Sequence, residues 1–391
     1  MAEPRTEPHT EPQSERPRVA VVFGGRSSEH AISCATAAGV LAALDRSQWD
    51  VVPVGVTPSG HWVLVDDDPA RWSIREGAPL PEVGAVDGPG VLVPLATDDR
   101  ALRVSEPGAP PRELGNVDVV LPLLHGPYGE DGTLQGLLEL GDVRYVGSGV
   151  LASALSMDKG FTRTVLAAAG LPVGPWVTLL PGQWEADRET CEQRVAALGW
   201  PVFVKPARAG SSMGVSKVSA PGELAAAVEL AACHDPKVVV EAAVPSPREV
   251  EVGVLQELVD LPGGGVHAVP RASVVGEIVV GAGRDFYDFE AKYLDDDAVR
   301  LDSPADLPAD VADRARALAL EVFTAVGAEG LARVDLFLTA DGELLVNEVN
   351  TMPGFTASSM FPRLWAATGL AYPQLLDRLL RLALARRTGL R

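Results

Sequence analysis

The chain has 391 residues, 47% of them apolar, and a formal net charge of −20 at pH 7. Such a length exceeds one compact core and predicts two or three domains, and so acidic a balance lacks the basic footprint that a nucleic-acid partner needs. No apolar run approaches the ~20 residues of a membrane span and no basic-then-apolar leader opens the sequence. Cys34, Cys191 and Cys233 form no CxxC pair, which fits a reducing cytoplasm and excludes both a disulfide framework and a cysteine zinc site.

Residues 1–17 repeat Thr-Glu-Pro without apolar periodicity and are expected to form a disordered tail, because they bury too little to offset their ordering entropy. Strand Arg18–Phe23, ending in Gly24-Gly25, a helix over Ser28–Leu44 and strand Val51–Val56 predict a parallel βαβ unit. From Asp67 to Arg112 the text is rich in Pro, Gly, Asp and Glu, with one apolar interlude near Val91, which predicts surface excursions of the first domain. Order resumes with strand Val117–Leu124, the loop His125–Gly132 and a helix over Thr133–Glu139.

A new unit is expected near Ser156, with helix Lys159–Ala169, strand Trp200–Lys205, a Gly/Ser loop, helix Pro221–Ala232 and strand Val238–Glu241. Strands over Glu249–Leu255 and Ala272–Val280, a helix over Asp310–Val326, a hairpin from Leu331 to Asn350 and a helix over Tyr372–Arg386 complete the chain. The fold class is α/β, with α+β parts, and the expected domains are 18–155, 156–247 and 248–391. There is no solenoid-type repeat.

The hairpin carries the most chemistry. Asp341-Gly342 is a strong two-residue turn signal. Pairing Ala340 with Glu343 then sets Asp335 opposite Glu348 and Arg333 opposite Asn350, all four on one face. Carboxylates facing each other across a ladder repel unless a cation lies between them. With the Asn350 oxygen they make a site for a hard cation such as Mg²⁺. The spacing is equally compatible with a solvated sheet face on which Arg333 offsets the acids. The Thr-Met-Pro-Gly354 loop that follows favours the site.

Lys205 stands at a strand end before Gly210-Ser211-Ser212-Met213-Gly214, small residues whose N–H groups can approach phosphate oxygens. The loop is not a Walker A motif, and the same text suits a plain turn. Val238–Val244 could offer backbone groups to a purine edge, with Glu249 within reach of a ribose, or could be an ordinary strand with solvated acids. Gly24-Gly25 near a helix start could hold an anion, but lacks the GxGxxG fingerprint.

Seven segments in order resemble the D-alanine–D-alanine ligase family: Gly24–His30, His125–Gly136, Met157–Lys159, Lys205–Gly214, Asp285–Tyr293, Arg333–Asp335 and Asn347–Gly354. The likeness covers nearly everything after the tail. It implies a three-part ATP-grasp architecture that uses ATP to join two D-alanines for the bacterial cell wall, in the cytoplasm, as a homodimer. By that resemblance Lys159, Lys205, Ser212 and Lys292 would contact phosphates. Glu241, Ala242 and Val244 would line the adenine pocket and Glu249 would take the ribose. Asp335, Glu348 and Asn350 would hold two Mg²⁺ ions, with Mn²⁺ a possible substitute. Glu29 would bind the first ammonium within a network completed by Ser211 and Tyr293, with His125 nearby. Arg333 and the Gly354 N–H would stabilise an oxyanion, and Ser359 would hold the second carboxylate.

Two departures stand out: Ala242 replaces a frequent lysine, and an extra residue before Glu249 leaves Arg248 or Glu251 as alternatives at the ribose. The rival products and roles are a D-alanyl-D-lactate ligase, disfavoured by Tyr293, and a non-catalytic nucleotide sensor, disfavoured by the complete Arg333, Asp335, Glu348 and Asn350 set.

Overall fold

The computed structural model describes residues 16–75, 77–93, 96–210, 212–262, 264–280 and 299–388. Ser211, Lys292, Tyr293, the expected lid over 285–297 and residues 1–15 of the expected tail lie outside the described residues.

The first sheet contains β1 (Arg18–Gly24), β2 (Asp50–Val56), β3 (Trp62–Leu64), β4 (Gly90–Leu92), β5 (Ala101–Ser105), β6 (Arg112–Asn116) and β7 (Val119–Pro122), in the order β6-β5-β4-β3-β2-β1-β7. β1 lies parallel between β2 and β7, with Val19 opposite both Val51 and Val119. Its two faces enter different cores: Val19, Val21 and Phe23 join one, Ala20 and Val22 the other. A strand buried on both faces has no polar side, hence the unbroken apolar run in the sequence.

The stretch Asp67–Arg112 is largely exposed, as expected, but it is also part of the first sheet and its core. It supplies β4, β5 and most of β3's continuation into an antiparallel wing that ends in β6. Trp72 and Val83, at 1% and 0% exposure, are core residues. These strands are only three to five residues long, too short for an alternating pattern to rise above the surrounding Pro, Gly and acids.

The second sheet is antiparallel: β8 (Trp176–Leu179), β9 (Val202–Pro206), β10 (Ser216–Val218) and β11 (Val238–Ala242), in the order β10-β9-β11-β8. Helices Arg188–Ala196 and Leu224–Ala232 close its apolar core. The third comprises β12 (Arg248–Asp260), β13 (Val266–Val280), β14 (Val299–Asp302), β15 (Leu331–Leu338) and β16 (Leu344–Asn350), in the order β14-β13-β12-β15-β16.

One face of this third sheet buries Val250, Val252, Val334 and Leu336 under helix Ala309–Ala325. Helix Met360–Ala367 crosses the other face at two glycines. A Cβ on Gly253 would come 2.9 Å from Trp365 Nε1, and one on Gly276 2.8 Å from Leu364 Cδ2. Helix Val150–Met157 straddles the expected boundary at 155/156, and its Leu155, with Leu166 of helix Lys159–Ala168, packs into the third sheet's core. The last helix, Tyr372–Ala385, returns to the first sheet, where Leu375, Leu376, Leu379 and Leu380 share a core with Val19 and Val21.

The hairpin β15–β16 pairs Asp335 with Glu348 and Arg333 with Asn350, as the sequence predicts, but by a different path. Its turn is not two residues. Thr339 N–H donates to Glu343 O at 2.9 Å and Gly342 N–H to Thr339 O at 3.0 Å, which leaves a three-residue loop, with Gly342 at φ +80°. That shifts the ladder by one, so that Leu338 faces Leu344 and Leu336 faces Val346. A bulge at Asn347 inserts one residue into β16 and shifts it back before Asp335. Nothing lies within 4 Å of the position a Cβ on Gly342 would take, so the cost of a side chain there is the left-handed backbone alone. Gly342→Ala should therefore lower unfolding free energy by about 1–2 kcal/mol. A urea midpoint equal to wild type at equal m would contradict a left-handed residue at this turn.

Candidate active site

Three sheets bring their ends to one cleft of about 600 Å³, lined by Glu29, His125, Lys159, Arg333, Glu348, Asn350, Gly354 and Ser359 among others. The first sheet supplies Glu29 through the turn after β1. Ser33 Oγ accepts from Gly24 N–H at 2.8 Å and donates to Leu123 O at 2.6 Å, fixing the ends of β1 and β7 together. His30 Nε2 accepts from Val83 N–H at 2.9 Å, so its Nδ1 carries the proton donated to Gly25 O at 2.7 Å. Ser27 Oγ accepts from Glu29 N–H at 3.2 Å and donates to His125 O at 2.7 Å.

The Glu29 carboxylate is buried between two glycines of different sheets. A Cβ on Gly126 would lie 2.8 Å from its Oε2, and one on Gly210 2.6 Å. These glycines admit the carboxylate where any other residue would displace it. His125 is buried, with Thr36 Oγ1 3.3 Å from Nε2 and Glu130 Oε1 3.4 Å from Nδ1. Burial opposes its charge, but the hydrogen bond and field of Glu130, with Glu29, raise its pKa. Burial also pushes Glu130 up, against the pull of His125. The pair therefore holds a proton to higher pH than separate side chains would.

The third sheet supplies the acids. Arg333 donates Nε and Nη2 to the two Asp335 oxygens at 2.7 and 2.8 Å, and Nε also stands 3.1 Å from Glu251 Oε2. Burial works against the Arg333 charge, yet Asp335 and Glu251 hold its pKa above that of a free guanidinium. Asn350 Nδ2 donates to Asp335 Oδ2 at 2.9 Å, and Glu348 Oε1 lies 3.6 Å from Lys159 Nζ. Beyond β16, Thr356 N–H donates to Ser359 Oγ at 3.1 Å, and a Cβ on Gly354 would lie 3.2 Å from that oxygen. Tyr372 O–H donates to Phe355 O at 2.6 Å and pins this loop to the last helix.

The second sheet carries a separate polar cluster. Lys205, on β9, donates to Glu241 Oε2 at 2.8 Å. Arg163 donates Nε to Glu241 Oε1 at 2.9 Å, with Nη2 at 2.6 Å. Burial raises the Glu241 pKa, but these two cations outweigh it and bring it down to about 2. Lys159 Nζ donates to Ala209 O at 2.8 Å, which sets it beside the Gly/Ser loop. Ser212 in that loop takes φ +58°, a conformation costly for a residue with a side chain and concentrated at functional sites.

Of the predicted residues, the cleft gathers Glu29, His125, Lys159, Arg333, Glu348, Asn350, Gly354 and Ser359. Asp335 lies directly behind it, through Asn350 and Arg333. Lys205, Ser212, Glu241, Ala242, Val244 and Glu249 lie outside its lining, on the strands and loops of the second sheet and at the start of β12. Among the ribose alternatives, Arg248 forks to Glu277 at 2.7 and 2.6 Å, on the sheet face away from Asp335. Glu249 and Glu251 share the face of Asp335, opposite Phe337 and Asp335 in the ladder. Glu251, which the sequence offers only as a ribose alternative, is 3% exposed beside Arg333, and the sequence assigns no role to Arg163 or Glu130. Strand alternation from Glu249 and the i,i+4 spacing from Lys159 were the available signals for the first two.

Among the described residues no group of three or more His, Cys, Asp or Glu side chains is disposed to hold a metal ion. The donors Asp335, Glu348 and Asn350 combine two carboxylates with one carboxamide, the hard oxygen chemistry that Mg²⁺ takes, so the set fits such an ion.

Residues 18–148 match the family model described as D-ala D-ala ligase N-terminus, and residues 165–381 the one described as D-ala D-ala ligase C-terminus. A D-alanine–D-alanine ligase of Kineococcus radiotolerans is 62% identical over 382 residues, spanning 96% of this chain and 99% of the relative. One from Streptomyces coelicolor is 50% identical, spanning 96% and 95%. Among solved structures, a D-Ala:D-Ser ligase from Enterococcus faecalis has a TM-score of 0.77 at 34% identity, covering 94% of this chain and 100% of that one. A D-alanine–D-alanine ligase from Coxiella burnetii has the same TM-score and identity, with coverage of 95% and 94%.

The Glu241 carboxylate makes a pH prediction. Its folded pKa is depressed, so its stabilisation is present above the ordinary value near 4.5 and is lost as pH falls towards about 2. Glu241→Gln should lower unfolding free energy by about 3 kcal/mol at pH 7. The difference from wild type should narrow between pH 4.5 and 2. A gap independent of pH in chemical denaturation would show that Glu241 is not charged in the folded chain.

Proposed function

The chain belongs to the D-alanine–D-alanine ligase family, and we propose how the residues of its cleft divide the work of joining two D-alanines. It is an ATP-dependent ligase of ATP-grasp architecture whose dipeptide product serves peptidoglycan synthesis. One observation carries the division of labour. Glu29, Arg333, Gly354 and Ser359 border the same cleft as Glu348 and Asn350, with Asp335 locked to Arg333.

Glu29 takes the ammonium of the first D-alanine, its carboxylate held between Gly126 and Gly210, with His125 beside it. The carboxylate of that substrate attacks the γ-phosphorus of ATP, and ADP leaves an acyl phosphate behind. Lys159, Lys205, Ser212 and Lys292 contact the phosphates; Glu241, Ala242 and Val244 border the adenine, and Glu249 the ribose. Asp335, Glu348 and Asn350 would hold Mg²⁺, in two ions or as Mn²⁺, which when bound neutralises charge on the transferring phosphoryl group.

The second D-alanine, its carboxylate on Ser359, attacks the acyl carbon through its free amine. The C–N bond forms and the carbonyl oxygen becomes an oxyanion, which Arg333 and the Gly354 N–H stabilise. Collapse expels phosphate, and the nitrogen of the new C–N bond loses its proton to the departing phosphate or to solvent. Ser211, Tyr293 and the segment 285–297 lie outside the described residues; the family resemblance alone would give the first two a part in the Glu29 network and the segment the exclusion of water. The three parts are 18–155 for substrate and 156–247 and 248–391 for nucleotide and catalysis. The chain works in the cytoplasm as a homodimer; no helix among the described residues is long and apolar enough to cross a membrane.

The experiment is ADP release from ATP and Mg²⁺ with D-alanine, L-alanine, or D-alanine plus D-lactate, with products weighed by mass spectrometry. Wild type should form D-alanyl-D-alanine and no depsipeptide. Arg333→Ala should lower kcat by about 10²–10³ while the KM for ATP changes little. Equal losses in both would remove Arg333 from the oxyanion. A second prediction concerns Gly210. Gly210→Ala pushes on the Glu29 carboxylate, so it should raise KM for the first D-alanine by a larger factor than KM for ATP. An unchanged KM would separate Glu29 from the ammonium.

A further inference from the structure

The bulge at Asn347 is the device that keeps the site residues on one face, and a buried arginine from another element holds it. A side-chain period of two means that a one-residue slip of β16 would exchange Glu348 and Asn350 for Asn347 and Val349 on the cleft side. A bulged residue falls out of the regular ladder, so its backbone groups need donors and acceptors from elsewhere. Arg163 Nη1 donates to Asn347 O at 3.1 Å, across 184 residues of sequence.

Arg163 is 5% exposed and sits on helix Lys159–Ala168, one turn beyond Lys159. The two side chains therefore share a helix face, and both meet the same segment of β16: Lys159 at Glu348, Arg163 at Asn347. The rest of the Arg163 guanidinium goes to Glu241, whose other oxygen takes Lys205. A single planar group thus ties the edge strand of the third sheet to the acid–lysine pair of the second.

We propose that Arg163 is a positioning residue whose forked guanidinium, shared between Glu241 and the Asn347 carbonyl, holds the β16 bulge and thereby sets the affinity of Asp335, Glu348 and Asn350 for a divalent cation. This rests on the metal assignment above.

The test measures Mn²⁺ binding to the full chain in the presence of ADP, from the loss of the free-ion electron paramagnetic resonance signal. The variants are Arg163→Lys, Arg163→Met and, as the control for the metal assignment, Glu348→Gln, each checked for a cooperative thermal transition. Arg163→Lys keeps a charge beside Glu241 but has no fork to reach Asn347. It should weaken Mn²⁺ about tenfold or more, the usual effect of losing a group that orients metal ligands. Its affinity for ADP without metal should stay near wild type, whereas Arg163→Met should lose both. Should Arg163→Met fail to fold, Arg163→Lys decides alone. Wild-type Mn²⁺ affinity in Arg163→Lys, with Glu348→Gln weakened, overturns the inference. Unchanged affinity in Glu348→Gln overturns the metal assignment instead.

Discussion

Asp335 and Glu348 face each other across adjacent strands, a juxtaposition that repels unless cations are drawn to it. Most of the charged geometry of the cleft answers that demand. Arg333 grips Asp335 with two hydrogen bonds, and Lys159 stands over Glu348. The buried Glu251, opposite Asp335 on the other neighbouring strand, adds a third acid and makes the centre a row of carboxylates across β12, β15 and β16. A row of this kind in a low-dielectric cleft attracts positive charge from whatever enters. That is the condition for holding a polyphosphate with its cation rather than alone.

Because the row depends on register, backbone geometry controls the electrostatics. The pairing of Asp335 with Glu348 was legible in the sequence, although the two-residue turn used to reach it was not the one formed. A three-residue turn shifts the ladder one way, and the extra residue at Asn347 shifts it back. The Asp-Gly signal could not tell these turns apart, since a glycine serves both a two-residue loop and the left-handed third position of a longer one. The bulge left no mark of its own in the text, because its support comes from Arg163, far away in the chain.

The same distinction separates what was legible elsewhere. β1, β2 and the central helices carry long runs or clear periodicity, and they formed where expected. The strands after Asp67 are brief and are set by pairing with β3 and with one another, a tertiary effect that local composition conceals. Among site residues, those inside distinctive motifs are legible as candidates, and the cleft brings several of them together. Glu251 is legible only as a ribose alternative, and Arg163 has a local reading as an ordinary charged residue. Only the ladder of β12 on β15, and the seating of helix Lys159–Ala168 against β16, give them roles.

Buried charge decides how that helix is seated. Asp158 caps it by accepting from Phe161 N–H at 3.0 Å, and each of its two oxygens also accepts from buried Lys237 Nζ at 2.8 Å. Arg163 and Glu241, one turn along, are equally buried. Ion pairs removed from water gain little stability over apolar residues of the same size, because desolvation offsets their attraction. What apolar residues cannot supply is direction. A guanidinium or a carboxylate satisfies its hydrogen bonds in one arrangement only, whereas a methyl group tolerates many. Two such pairs, one at the first turn and one a turn later, fix both the position and the rotation of the helix. Lys159 lies between them, so its ammonium is held to one place between the Ala209 carbonyl and Glu348. The buried pairs are therefore best understood as the means by which a long, flexible lysine becomes a fixed charge.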